Sequence, residues 1–109
     1  MITSFKIFEN NKEPQVGDYV VCDDKNDGEL NKFIINNIGE ITELNWNKKD
    51  DYFEKYFLIK YNNIPNNLNT YFFSNQRFFS KNDIKFYSKN KKNVEVYLKQ
   101  YLKAKKYNI

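Results

Sequence analysis

Histidine is absent from this sequence, which removes the commonest general base and the commonest metal ligand together. Cysteine occurs once, at Cys22, so an intramolecular disulfide, thiolate–imidazole catalysis and the usual zinc sites are all excluded. A lone cysteine fits a reducing interior, and the spacing of Val20 and Cys22 fits a core strand position better than a reactive thiol. Three isolated glycines, Gly17, Gly28 and Gly39, make no phosphate-cradling loop. No run approaches the roughly 18 apolar residues of a membrane-spanning helix, and no N-terminal apolar stretch has signal-peptide length. The paired carboxylates Asp23-Asp24 and Asp50-Asp51 fall in polar turns, where solvation leaves their chemistry ordinary. The expectation is a soluble intracellular protein that is not an enzyme and holds no cofactor and no metal.

Alanine and arginine are nearly missing too, one of each, whereas 18 Asn, 17 Lys, 10 Ile, 10 Phe and 9 Tyr make up 64 of 109 residues. These five residues are read from AT-rich codons, which points to an AT-rich genome such as that of a phage, a large DNA virus or a reduced bacterium. Coding bias alone would then supply surface lysine, so the net charge of +4 is weak support for nucleic-acid binding. Its distribution says more. Residues 1–80 carry 9 basic and 12 acidic groups, net −3, while residues 81–109 carry 9 lysines against Asp83 and Glu95, net +7. A nucleic-acid-binding barrel would carry its own basic stripe.

With 109 residues, the chain is expected to form one domain with a single core. Its centre is the stretch 37–61, read as two strands, Ile38–Leu44 and Tyr56–Tyr61, joined by a wet loop over 45–55. In the second strand Phe57, Ile59 and Tyr61 share one face. In the first, Ile38, Ile41 and Leu44 recur at three rather than two, which calls for a bulge or strong twist near Gly39 or Glu43. Ile2, Phe5 and Ile7 suggest a short edge strand, and Val16–Cys22 a strand entered through Gly17-Asp18. Leu30, Phe33 and Ile34 suggest a helical turn. Residues 70–88 read as two short strands with a 3₁₀ turn at Ser80-Lys81-Asn82-Asp83, a capping sequence, before the second. Val94, Tyr97, Leu98, Tyr101 and Leu102 then follow helical spacing over about 89–106, with Ser88 or Asn90 as cap. That helix is expected to pack through Val94, Leu98 and Leu102.

The acidic segment 23–29 invites a calcium reading, but an EF-hand loop starting at Asp23 would place Lys25 and Ile34 at ligand positions. A solvated acidic turn is the expectation. Aromatics are in excess of what a small core can hide. Trp46, Tyr52, Phe53, Tyr56, Tyr71 and Tyr87 are candidates for exposure, and two readings stand, an interaction surface or AT-rich coding. The one arginine, Arg77, either pairs with an acidic loop or makes a bidentate or phosphate contact.

Gly17-Asp18-x-Val20-x-Cys22, Ile38-Gly39-x-Ile41, Phe57-x-Ile59-x-Tyr61 and Arg77-Phe78-Phe79 leading to Asp83-Ile84 together resemble an SH3-like or KOW-like small barrel over about residues 16–87. The resemblance implies a mainly β fold, a barrel of five or six strands with a C-terminal α-helix, in which the excursion 23–37 takes the place of the long first loop. Its loops are not basic as in nucleic-acid-binding members, and no paired-tyrosine proline groove is evident. The whole chain also resembles small uncharacterised proteins of large DNA bacteriophages. Three functions follow as expectations. The first is a viral protein-binding module acting on a host or virion protein in the host cytoplasm, through Trp46, Tyr52, Phe53, Tyr56 and Arg77. The second is nucleic-acid binding through Lys89, Lys91, Lys92, Lys99 and Lys103. The third is an oligomeric anti-defence protein that stacks a small ligand or nucleotide on its aromatics. Homo-oligomers are further expected through an aromatic edge strand at 71–73.

Overall fold

A computed structural model describes residues 13–26, 28–49 and 52–107, without the side chains of Asn47, Lys49, Tyr52 and Tyr107. The expected strand at residues 2–8 and the Asp50-Asp51 turn lie outside the described residues. The fold is mainly β, a five-stranded antiparallel sheet with a C-terminal helix.

Strand β1 (Tyr19–Cys22) carries Val20, Val21 and Cys22, all without solvent exposure. Successive strand residues point to opposite faces, so this strand is covered on both. Helix α1 (Glu29–Ile35) follows, its Ile34 in the core and Leu30 and Phe33 packed against it. Strands β2 (Gly39–Lys49) and β3 (Tyr52–Lys60) form the central hairpin. They pair continuously from Glu40↔Lys60 to Lys49↔Tyr52, so the expected loop over 45–55 is instead a two-stranded arm. Polar residues outnumber apolar ones in it, which a solvated ribbon with its backbone paired across the two strands tolerates. The register shifts between Ile41 and Glu43, making Thr42 the extra residue of a bulge. The bulge is what lets residues spaced at three share a strand whose side chains repeat at two.

Residues 66–71 form a 3₁₀ turn with Leu68 buried, not the beginning of a strand. Phe73 makes an isolated bridge with Gln76, and the edge strand is β4 (Gln76–Ser80). That edge is short of free backbone groups. Gln76 and Phe73 exchange both hydrogen bonds at 2.9 Å, and the Ser80 N–H donates to the Asp83 carboxylate at 3.2 Å. Only Phe78 between them still faces outward, which removes the continuous edge that self-pairing would need. The Ser80–Asp83 capping box opens a 3₁₀ turn, Lys81–Asp83, as its sequence predicts, and β5 (Ile84–Ser88) follows.

The strand order is β4-β3-β2-β1-β5, so β4 and β5 are opposite edges, and no ladder joins them among the described residues. The three-residue turn between them spans only about 6 Å. The sheet is therefore curled. Phe79 of β4, Phe57 and Ile59 of β3, Ile41 of β2 and Val20 and Cys22 of β1 share one core, with Ile84 and Tyr87 of β5 against it. Tyr61 lies at its centre, edge-on to Phe33 at 5.7 Å and to Phe72 at 6.1 Å.

Helix α2 (Lys91–Tyr107) is capped by Asn90, whose Oδ1 accepts the Lys92 N–H at 2.9 Å. Val94 is fully buried, while Leu98 and Leu102 are only half-buried. Docking is shared with an aromatic stack not expected from the sequence. Tyr97 lies parallel on Phe86 of β5, centroids 4.6 Å apart, and Tyr101 stacks on Tyr97 at 5.8 Å.

Candidate functional site

The β2–β3 hairpin reaches beyond its neighbours in the sheet. Strand β1 pairs with β2 only at Tyr19↔Glu40 and Val20↔Gly39, and β4 pairs with β3 only from Tyr56 to Lys60. Among the described residues, 43–49 and 52–55 are thus a ribbon extending past the sheet body. Cross-strand pairs Leu44↔Phe57, Trp46↔Lys55 and Lys48↔Phe53 set the faces, because directly opposed residues project to the same side. The face that is core at Leu44 and Phe57 continues outward as Trp46, Lys48, Phe53 and Lys55. Trp46 is 60% exposed and Phe53 64%, the two largest values among the exposed apolar residues. The Lys55 ammonium sits over the Trp46 ring at 5.2 Å and near the Phe57 ring at 5.8 Å. Glu13 completes its surroundings with a carboxylate oxygen at 3.7 Å. The reverse face of the ribbon carries Glu43, Asn45, Glu54 and Tyr56. Among the described side chains, then, the lysines of the arm share one face with Trp46 and Phe53, and its two glutamates lie on the other.

Backbone alternation fixes which residues of β2 face outward. The Tyr61 N–H donates to the Asn75 carbonyl at 2.9 Å, so Phe57, Ile59 and Tyr61 bond toward β4, and Glu54, Tyr56 and Leu58 bond toward β2. Their partners on β2 are Asn47, Asn45 and Glu43. Leu44, Trp46 and Lys48 consequently turn N–H and C=O away from β3. Ile41 spends its own outward pair on Gly17 and Asp18, both at 2.9 Å. Beyond it, none of these three residues has a backbone partner among the described residues.

Of the residues singled out from sequence, Trp46 and Phe53 come together. The Tyr52 side chain lies outside the described residues, and Tyr56 belongs to the reverse face. Arg77 is remote from them. It pairs with Ile59, four residues along β3 from Lys55, or about 13 Å of strand. Its guanidinium donates to the Tyr71 carbonyl at 3.2 Å and lies 5.9 Å from the Phe79 ring, so the acidic loop expected as its partner is not the group it meets. Sequence reading passed over Lys48 and Lys55, the two cations among the aromatics; period-two alternation within 45–55 was the signal. It also passed over a second exposed aromatic pair, Phe73 and Phe78, centroids 5.7 Å apart.

The five lysines of the basic segment divide. Lys89 forms an ion pair with buried Asp18 at 3.2 Å, and Lys91 lies over the Tyr19 ring at 5.8 Å. Lys92, Lys99 and Lys103 are exposed and fall on one side of α2 by helical spacing, joined there by Lys106.

The acidic turn is not uniformly solvated. Asp23 is 2% exposed and accepts hydrogen bonds from Tyr101 Oη (2.6 Å), Lys105 Nζ (3.0 Å), Asn31 Nδ2 (3.0 Å) and the Lys25 N–H (2.8 Å). Burial alone would raise its pKa, but these donors outweigh burial and hold the carboxyl well below the usual range. Its oxygens are thus committed to protein donors. Cys22 is buried, and desolvation pushes its thiol far above its ordinary value despite the opposing contact with Tyr61. Among the described residues no three acidic or cysteine side chains gather as a metal site, and no helix is long and apolar enough to cross a membrane.

No protein-family model, curated protein or solved structure matches the chain.

Proposed function

We propose that this chain is a phage- or virus-encoded, non-catalytic protein-binding module that engages a host or virion protein in the host cytoplasm through the Trp46–Phe53 face of the hairpin arm. The observation that carries the reading is the exposure of Trp46 and Phe53 on one face, diagonal across a ribbon that extends past the sheet. Cross-strand contacts in a solvated arm, such as Lys55 over Trp46, contribute only about 0.2–1 kcal/mol each, whereas Trp and Phe supply much contact area for little rotamer entropy when a partner covers them. Coding bias accounts for phenylalanine and tyrosine but not for tryptophan, which occurs once in the chain.

The scaffold is read as an SH3-like small barrel. Three features support this: the order β4-β3-β2-β1-β5, the short 3₁₀ turn that links the opposite edges, and a core drawn from four strands. In that arrangement the arm is the second inter-strand connection, lengthened. The viral assignment draws support from the AT-rich residue usage.

The test is capture from the natural host with wild-type protein and a Trp46→Ala/Phe53→Ala variant shown to be folded. The expected result is loss of the specific partner. Retention of every partner by the folded variant overturns the reading.

The outward lysines of α2, Lys92, Lys99, Lys103 and Lys106, favour nucleic-acid binding as a second reading. It requires affinity that falls steeply with salt, since each phosphate contact releases counterions. Flat binding between low and moderate salt excludes it.

A further inference from the structure

We propose that the partner segment is an acidic, extended peptide that adds as a strand along the open edge of β2, beside Leu44, Trp46 and Lys48. This rests on the arm being the protein-contact surface, and goes further by naming the geometry and the chemistry of what binds.

Geometry comes first. An added strand needs a row of unpaired backbone donors and acceptors at alternate residues. Leu44, Trp46 and Lys48 present such a row among the described residues. It continues the line on which Ile41 already bonds to Gly17 and Asp18. The bulge at Thr42 separates the satisfied part of the edge from the open part. The side chains of these same three residues project to the aromatic face. A strand bonded to their backbone therefore brings every second side chain to the aromatic face, next to Trp46. The opposite side offers a shorter row: the Phe73 bridge and the Ser80–Asp83 cap close both ends of β4, and past Ser80 only Phe53 and Lys55 of β3, two residues against three, turn outward among the described residues.

Charge then selects the peptide. The aromatic face bears Lys48 and Lys55 and no carboxylate of its own strands, while Glu43 and Glu54 are on the reverse. Lys55 already takes one carboxylate, that of Glu13, at 3.7 Å. Only every second side chain of the added strand reaches this face, so acidic and apolar residues taking turns at i, i+2 and i+4 match it, and basic ones are repelled by it.

Tryptophan fluorescence reads the binding directly, since Trp46 is the only tryptophan. The probe is an end-capped octapeptide with threonine at every even position and leucine and glutamate in turn at the odd ones, titrated into the full chain. Its controls are the leucine–lysine counterpart and two isomers N-methylated at the odd or the even positions. Saturable binding of the acidic peptide is expected, weaker by about tenfold or more for the lysine peptide and for a Lys48→Glu/Lys55→Glu variant. One methylated isomer should lose binding and the other keep it, because only alternate N–H groups of an added strand face its host. The proposal is overturned if the acidic peptide does not bind, if the lysine peptide binds as tightly, or if both isomers bind like the parent. Binding only to a Phe5→Asp/Ile7→Asp variant would make the N-terminal segment of this chain the occupant, and also overturns it. Peptide failure with partner capture still lost in Trp46→Ala/Phe53→Ala leaves the contact surface standing and removes only the acidic strand.

Discussion

The Tyr101 hydroxyl donates to the Asp23 carboxylate at 2.6 Å, joining residues 78 positions apart. This bond and the Lys105 ammonium on the same oxygen tie α2 to the turn that leaves β1. Asn31 of α1 holds the other oxygen at 3.0 Å, so one carboxylate fastens both helices to the sheet.

Replacing Asp23 with asparagine is expected to cost about 2 kcal/mol at neutral pH, the scale of a buried charge-assisted hydrogen bond. The folded pKa is depressed, so the carboxylate contributes stability above its unfolded value of about 3.9 and loses it as pH falls toward the folded value. The difference in urea unfolding between wild type and Asp23→Asn should be full above about pH 5 and shrink progressively as pH falls below about 4 toward the depressed folded value. A pH-independent difference contradicts the account.

Gly39 is buried where β2 meets β1. A Cβ added there would lie against Ile59 and 2.9 Å from Cζ of Tyr61, and both side chains are locked in the core. Gly39→Ala is expected to destabilise by about 1–3 kcal/mol through overpacking, read as a lowered urea midpoint at unchanged slope. An unchanged midpoint would mean that Tyr61 is free to move.

Cys22 has no exposed surface, and burial disfavours its thiolate. A thiol reagent at pH 8 is expected to leave native protein unlabelled over minutes and to label it fully in denaturant. Rapid native labelling would contradict a core position for this strand.

The core was legible in the sequence because its pattern is local. Phe57, Ile59 and Tyr61 alternate on one strand, Val20 and Cys22 on another, and the Ser80–Asp83 cap is written in four consecutive residues. Asp23 was read as solvent-exposed because its partners, Tyr101 and Lys105, come from the far end of the chain. A lysine on the packed side of α2, one turn after a tyrosine, was the available sign. The arm was read as a loop because polar residues outnumber apolar ones over 45–55. Only the register of β2 against β3 shows that Trp46 and Phe53 share a face, and that Arg77 lies elsewhere.

Whether a partner covers the arm can be read from the emission of Trp46 in free protein and again with the isolated partner at saturation. The account predicts a red, solvent-exposed spectrum for the free chain, as 60% exposure requires, and a blue shift when the partner covers the arm. A spectrum already blue in the free protein, or one unmoved by saturating partner, would contradict it.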